Sequence, residues 1–468
     1  MALSLRRRRD YRPDYQPYIW ALLFGLTLGL ASVVSPFAGL GLILAAVGIF
    51  VTLRKPIVLC FVHIMAVVWL SGMPRDYIIP VFVPNEPVLL LVAGMGFLII
   101  ILSNRSGQTP ARLVAALAIF IVGTSILPTM LFMLRGFKMG IGDIFGLIAP
   151  VQYLVVLWLF ANLPKNDDER MEILQVMYLG STMVSLSAIG QFLNIGFVTS
   201  FIFRFYPSIQ TETAAEYGRV TSILNAWNSL GNFLMIILLL IILTFPLIKK
   251  RWHRYNTIAA GGLGLLAFFL SGSFASIGGL LMAFIVTRYF DRRNLKQTIR
   301  LAVIMAVAGI IMAPLITTRL DYQFGGSSSN SVVPQTLSHR FKLWQTLFFP
   351  ALERNNNWIW GITPNLASSG IFTWGWTENQ YLYLLIRSGI ISLVAHFIWV
   401  IMTMVWLYRK MRRATVGSFT FALTLGAFSL MLTLTLMGMT NEVFTNSGSI
   451  DYYWMLLGLT VKVGVNDS

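Results

Sequence analysis

Cysteine is almost absent from this chain. The only one in 468 residues, Cys60, lies inside an apolar run. That excludes a disulfide framework and a cysteine-built metal centre. Histidine is nearly as scarce, with four in all, and no pair stands at metal-ligand spacing. There is no P-loop and no G-x-S-x-G, so neither a Walker nucleotide site nor a hydrolase elbow has a basis in the sequence. The widest deficit is in charge. Only 11% of the residues are charged, against about 25% in soluble domains. Acids are scarcer than bases, 18 Asp and Glu against 35 Lys and Arg.

Apolar residues fill the gap. They make up 56% of the chain, and the mean hydropathy is +0.73. A polytopic membrane protein is the class that fits. In a soluble protein the net charge of +17 would point to nucleic acid. Here the bases stand in short clusters between apolar runs, as membrane topology is written, so no nucleic-acid partner is expected. The N-terminus, M-A-L-S-L-R-R-R-R-D, is basic. The run after it lacks a small-residue cleavage site, so it reads as a retained span.

About 20 apolar residues cross a bilayer as a helix, and by that measure the chain is all-α with about 14 spans, within a range of 12–14. They fall near 18–35, 37–53, 56–71, 87–103, 113–133, 142–162, 171–192, 228–247, 256–270, 274–289, 299–316, 380–406, 416–438 and 448–464. The expected organisation is a cytoplasmic basic segment, 1–17, and one transmembrane domain, 18–464. The pair 256–270 and 274–289 is read as a hairpin about Ser271-Gly272-Ser273, with one broken helix as the alternative. Placing both termini in the cytoplasm puts most Lys and Arg inside. The clusters are Arg6–Arg9, Arg54-Lys55, Lys249–Arg251 and Arg409–Arg413, among others. The bias supports an even number of crossings.

Two segments on the other side are longer than connectors require: 193–227 and 317–379. The first contains F-V-T-S-F-I-F-R-F-Y-P, which has the look of an interfacial amphipathic helix. The second holds Trp344, Phe348, Phe349, Trp358, Trp360, Trp374 and Trp376 and reads as a packed cap with short helices.

Chemistry is best sought in 338–389. Few cations lie outside against the bias. Among them are Arg219, Arg340, Lys342 and Arg387. Arginine forks match phosphate oxygens, and Arg219 and Arg340 both stand close to a span. A rim arginine that snorkels to lipid headgroups is the plainer alternative. Arg387 lies inside a span, where charge is expensive and usually faces a cavity or partner. Glu378 is the best general-base candidate. It stands at a span start, where capping by Thr377 or Glu378 itself is the structural alternative. Asp143, Asp321 and Glu442 are rivals, and His339 and His396 are alternatives. His396, mid-span, reads more readily as a packing residue. His339, Lys342, Trp344, Asn379 and Tyr381 are candidates to support the site. The aromatics read most readily as an interfacial belt.

The order of these features resembles the O-antigen ligase and Wzy-type polysaccharide polymerase superfamily. G-R-V-T-S-I-L-N-A-W-N-S-L-G-N at 218–232 looks like that family's entry to a span. L-S-G-S-F-A-S-I-G-G-L-L at 270–281 is similar to its T-x-S-R-G segment, with Phe274 where arginine is usual. R-F-K-L-W-Q-T-L at 340–347, W-G-I-T-P at 360–364 and T-E-N-Q-Y-L-Y-L-L-I-R-S-G at 377–389 follow in the family's order. The likeness covers roughly 218–390. It implies a GT-C-type membrane glycosyltransferase in a bacterial inner membrane, using a polyprenyl diphosphate-linked glycan and no metal or other cofactor. Its partners would be the bilayer and, as associates, chain-length regulator and flippase proteins.

By position, the resemblance makes Arg219 and Arg340 contacts for the diphosphate, with Arg387 as a further candidate. Ligases of the family have a histidine base in the last motif, whereas this chain has Glu378. The expectation is therefore a polymerase of lipid-linked repeat units acting by inverting transfer. A ligase delivering glycan to lipid A core or another acceptor is the alternative. A lipid or polysaccharide transporter is the alternative from another class; it would need polar or helix-breaking residues at mid-membrane in paired halves.

Overall fold

The computed structural model describes residues 54–74, 83–102, 111–138, 140–213, 218–291, 313–324, 335–363, 377–444 and 448–461, with isolated positions at 52 and between 303 and 310. Every regular element among them is helical. The main helices are α1 Val58–Leu70, α2 Asn85–Leu102, α3 Arg112–Leu134, α4 Ile141–Asn162, α5 Asp167–Phe192, α6 Gly196–Phe205 and α7 Trp227–Thr244. They continue as α8 Arg251–Leu270, α9 Phe274–Phe290, α10 Ala313–Gln323, α11 Gln335–Leu343, α12 Gln380–Arg413, α13 Phe419–Met437 and α14 Ser449–Val461. Among the described residues, five helical stretches are long and apolar enough by themselves to cross a membrane: Arg112–Leu134, Asp167–Phe192, Trp227–Leu247, Gln380–Arg413 and Phe419–Met437. Other apolar helices, such as Val58–Leu70 and Phe274–Phe290, are shorter. The expected spans 18–35 and 37–53, the segment 1–17 and most of 299–316 lie outside the described residues.

Local sequence sets the helix starts. Asn166 caps α5, its side chain accepting from Glu169 N at 2.9 Å, and Asp167, Asp168 and Glu169 fill the first turn. Acids there meet the positive end of the helix dipole. Ser418 caps α13 in the same way, accepting from Phe421 N at 3.1 Å. In the middle stands α7, buried on every side from Ser229 to Leu240. A helix apolar all round belongs inside a bundle. α8 runs against it, with Gly264 facing Leu234 and Leu238. α9 runs with it, as Ser276 Oγ donates to Asn232 Oδ1 at 2.8 Å. The chain thus reverses at Ser271–Ser273, and 256–289 is two antiparallel helices astride α7. The aromatic part of the core joins α3, α4, α12 and α14. Trp399 stacks on Trp454 at 5.3 Å, and Tyr153 on Trp454 at 5.6 Å.

The two ends of the bundle differ. One end gathers Lys250, which pairs with Glu172 at 3.5 Å, and Arg170, which pairs with Asp167 at 3.3 Å. It also holds Lys410, whose Nζ donates to the carbonyls of Thr460 and Val461 at the end of α14. The other end holds the start of α12, the finish of α13 and the turn between α8 and α9. There, too, the chain after α5 folds into α6, the short helix Ile209–Thr213 and the turn Ser222–Leu224.

α12 is not continuous. Gly389 has φ +70° and ψ −170°, which separates 380–388 from 390–413. The carbonyl of Ile386, released by the break, accepts from Ile362 N at 2.7 Å. The segment around Gly361 therefore lies directly on the break, and Arg135 Nη1 holds it by donating to Gly361 O at 3.0 Å. A side chain at 389 would place its Cβ 2.0 Å from Ile359 O. Gly389→Ala is expected to destabilise by more than about 3 kcal/mol, through left-handed strain and overlap together. Gly94→Ala, whose methyl meets nothing within 4 Å, should be neutral or slightly stabilising. Thermal midpoints of the detergent-solubilised variants check this; equal midpoints would overturn it.

Candidate functional site

The polar centre of the described chain forms where α12 begins. Asn379 is its cap, accepting from Tyr381 N at 2.9 Å and Leu382 N at 3.0 Å. The cap is thus one residue after Glu378 and two after Thr377, the two residues that sequence offered as capping alternatives. The physical reason is the backbone just before it. Glu378 has φ +51°, so it turns the chain into the helix and leaves the cap position to the next side chain.

That turn is held from two sides. Trp344 Nε1 donates to the carbonyl of Thr377 at 2.8 Å. On the opposite side, Glu442 Oε1 accepts from Thr377 N at 2.6 Å, Thr377 Oγ1 at 2.7 Å and Glu378 N at 3.1 Å. So held, the Glu378 side chain forms an ion pair with Arg340 Nε across 38 residues of sequence. Both side chains stay reachable: that of Glu378 is 31% exposed and that of Arg340 20%. Glu442 is buried. Burial pushes its carboxyl up to about 7; the bonds from Thr377 and Glu378 N oppose the shift, and the Glu378 charge adds to it.

The other sequence-named residues divide. His339 and Lys342 are exposed on α11, beside Arg340 in the chain. Tyr381 is committed to packing. Its hydroxyl donates to Thr435 O, and its ring stacks on Phe397 at 5.0 Å, not on an open cavity. His396 sits among Phe120, Tyr381, Trp399 and Phe444 as a packing residue. Arg387 is buried beside the Gly389 break, its Nη1 donating to Tyr383 Oη at 3.4 Å.

Arg219 lies at the same end of the bundle but on another wall. Its Nη2 donates to Gly272 O at 2.8 Å, and its guanidinium lies 4.6 Å from the Trp227 ring centroid. The structure therefore joins Arg340 to Glu378 and gives Arg219 different partners. Trp374 and Trp376 lie outside the described residues, and the side chain of Asp143 does as well. Asp321 is exposed on α10.

Sequence reasoning ranked Glu442 only as a rival. Its importance comes from contacts 64 and 65 residues away, which no local pattern carries. The available signal was the polar pair Asn441-Glu442 directly after an apolar run on the same side as Glu378.

Chemically, the cluster offers a guanidinium for an anion, a reachable carboxylate for a proton, and a buried carboxyl poised near neutrality. A groove of about 540 Å³ between α3 and α12, lined by residues such as Ile119, Val122, Ile390 and Val394, is apolar throughout and suits hydrocarbon, not sugar. Among the described residues no group of three or more His, Cys, Asp or Glu is arranged to hold a metal ion.

These features define a protein helical throughout its described regular elements, with helices long and apolar enough to cross a membrane and a charged cluster at one bundle end. No protein-family model matches the chain, and no curated protein matches it.

The raised Glu442 carboxyl has a consequence for stability. A carboxyl whose folded pKa lies above its ordinary value favours the folded state at low pH, and that contribution is lost as pH rises. For Glu442 the window runs from 4.5 to about 7. Glu442→Gln, which never ionises, should flatten the decline of the thermal midpoint with pH across that window. Parallel declines in the two proteins would refute the assignment.

Proposed function

We propose that this chain is a membrane glycosyltransferase that polymerises lipid-linked oligosaccharide repeat units, in the manner of O-antigen and exopolysaccharide polymerases. The observation that carries the reading is the Arg340–Glu378 ion pair, formed by two reachable side chains at one end of an apolar bundle. A guanidinium pairs equally well with a carboxylate or a phosphate. An incoming polyprenyl diphosphate takes Arg340 and frees Glu378 beside the bound donor. Glu378 then accepts the proton of an acceptor sugar hydroxyl as its oxygen attacks the anomeric carbon from the face opposite the diphosphate. The bond from the anomeric carbon to the diphosphate oxygen breaks, the configuration inverts, and Arg340 stabilises the charge on the departing polyprenyl diphosphate.

Three further points support this reading. Arg219 and Arg387 stand at the same end of the bundle and supply more positive potential for an anionic donor. The opposite end carries the clustered bases at 249–254 and 409–413, the bias expected of a cytoplasmic face. That bias supports a periplasmic position for the cluster in an inner membrane, within a bundle read from its hydropathy as about 14 crossings. Glu378 stands where the resembling ligases have histidine, which favours a polymerase over a ligase.

Purified protein supplied only with lipid-linked repeat units should lengthen them, and Glu378→Gln and Arg340→Ala should each lose activity by about 100-fold or more while remaining folded. Normal product ladders from either variant would refute the roles. Wild-type protein that leaves repeat units unchanged, yet moves finished glycan to a different acceptor, would make it a ligase.

A further inference from the structure

A non-glycine residue at φ +51° is costly, and for glutamate there is no glycine-like freedom to relieve it. Glu378 holds that conformation. What keeps it there is nearly all on one atom: Glu442 Oε1 accepts from both backbone N–H groups and the hydroxyl of the two-residue turn. Trp344 takes the turn's carbonyl from the far side. Glu442 is itself fixed by its surroundings. Its own N–H donates to Asn441 Oδ1 at 2.9 Å, and the chain two residues on is tied to α12 by Phe444 N donating to Gln380 Oε1 at 3.1 Å.

We infer that Glu442 is a positioning residue: by gathering the Thr377–Glu378 turn on one carboxylate oxygen, it aims Glu378 at Arg340 and at the bound donor. The inference rests on the polymerase reading for the meaning of that aim, though not for its geometry. The role follows from what the contacts can and cannot supply. Glu442 is 8% exposed, with its described bonds spent on the turn, so it acts through Glu378 and not on substrate. An N–H pair aimed at one oxygen resembles an anion nest, and here the anion is built in. An acceptor oxygen at that point is the requirement, and a full charge is not: glutamine would still place a carbonyl oxygen there.

Ionisation should modulate the hold, since hydrogen bonds to a carboxylate are stronger than those to its neutral acid. Among the described residues, the charged groups facing Glu442 are Glu378 and, through it, Arg340. Thr377, Gln380 and Asn441 are neutral. As Glu442 loses its proton near neutrality, the turn tightens and transfer speeds up.

The test separates geometry from activity. Arg340→Cys and Glu378→Cys are introduced together and joined by a short bifunctional thiol reagent, with Cys60, buried in α1, as the silent background. Cross-linking should be efficient with Glu442 and with Glu442→Gln, and at least about fivefold weaker with Glu442→Ala, because an unheld turn no longer presents the two positions together. In the otherwise native protein, Glu442→Ala should lower kcat about tenfold to 100-fold with KM little changed, as small misplacements of a catalytic group do. Glu442→Gln should restore most of kcat, and its pH–rate profile should lack the limb near 7 expected of the wild type.

Equal cross-linking with Glu442→Ala and wild type, or a Glu442→Gln variant as slow as the alanine variant, would overturn the inference. Wild-type protein that never extends lipid-linked glycan would defeat the polymerase reading alone, because the cross-linking arm still decides whether Glu442 sets the turn.

Discussion

An apolar helix bundle can hold ionised groups only where each finds a partner. A carboxylate taken out of water without one costs several kcal/mol, and a backbone N–H left unpaired there is costly too. Much in this structure follows from that constraint. Helix ends, with their orphan N–H and C=O groups, are where charge can be accommodated, and the charged residues are sorted to the two ends. Lys410 satisfies the last carbonyls of α14, Arg219 takes Gly272 O, and Arg135 takes Gly361 O. Glu442 collects the donors of the turn that opens α12. The same solution recurs in each case: a long or buried charged side chain from one element closes the open backbone of another.

The site inherits its form from this rule. Glu378 could not point at Arg340 from a regular helical start, because a regular first turn would commit its backbone to α12. The left-handed residue before the cap detaches Glu378 from the helix while leaving it covalently next to it. The cost of that conformation is about 1–3 kcal/mol. Three hydrogen bonds to Glu442 and one from Trp344 to Thr377 offset it. Strain and buried charge thus stabilise each other locally: the turn needs an acceptor, and the buried carboxylate needs donors.

Much of the helical layout was legible in the sequence, because span-length apolar runs announce themselves whatever their neighbours are. The helices at 58–70, 167–192, 227–244 and 419–437 fall where hydropathy puts them. The order of burial was not legible. α7 and α14 are buried on every side, yet α3 and α12 are nearly as apolar as α7 and far more exposed, so packing and not hydropathy sets the order. The break in α12 was hidden as well, since a glycine in an apolar run usually reads as a tolerated helix residue. Gly389 acts otherwise because the backbone of Ile359 and Trp360 presses onto it from a segment about 30 residues earlier.

The charged site was half legible for a related reason. Arg340 and Glu378 drew attention by their chemistry and their place beside spans, and they do meet. Arg219 drew the same attention, but it donates to a turn carbonyl, a group that sequence patterns do not mark. Glu442 was visible as a carboxylate and invisible as an organiser, because its function depends on φ at residue 378. A dihedral of that sign is readable from sequence only when glycine or asparagine announces it. Here a glutamate adopts it, against its own preference. The surrounding groups, not the residue's identity, must therefore supply the hold, and the buried carboxylate that receives both N–H groups of the turn is the one with the geometry to do so.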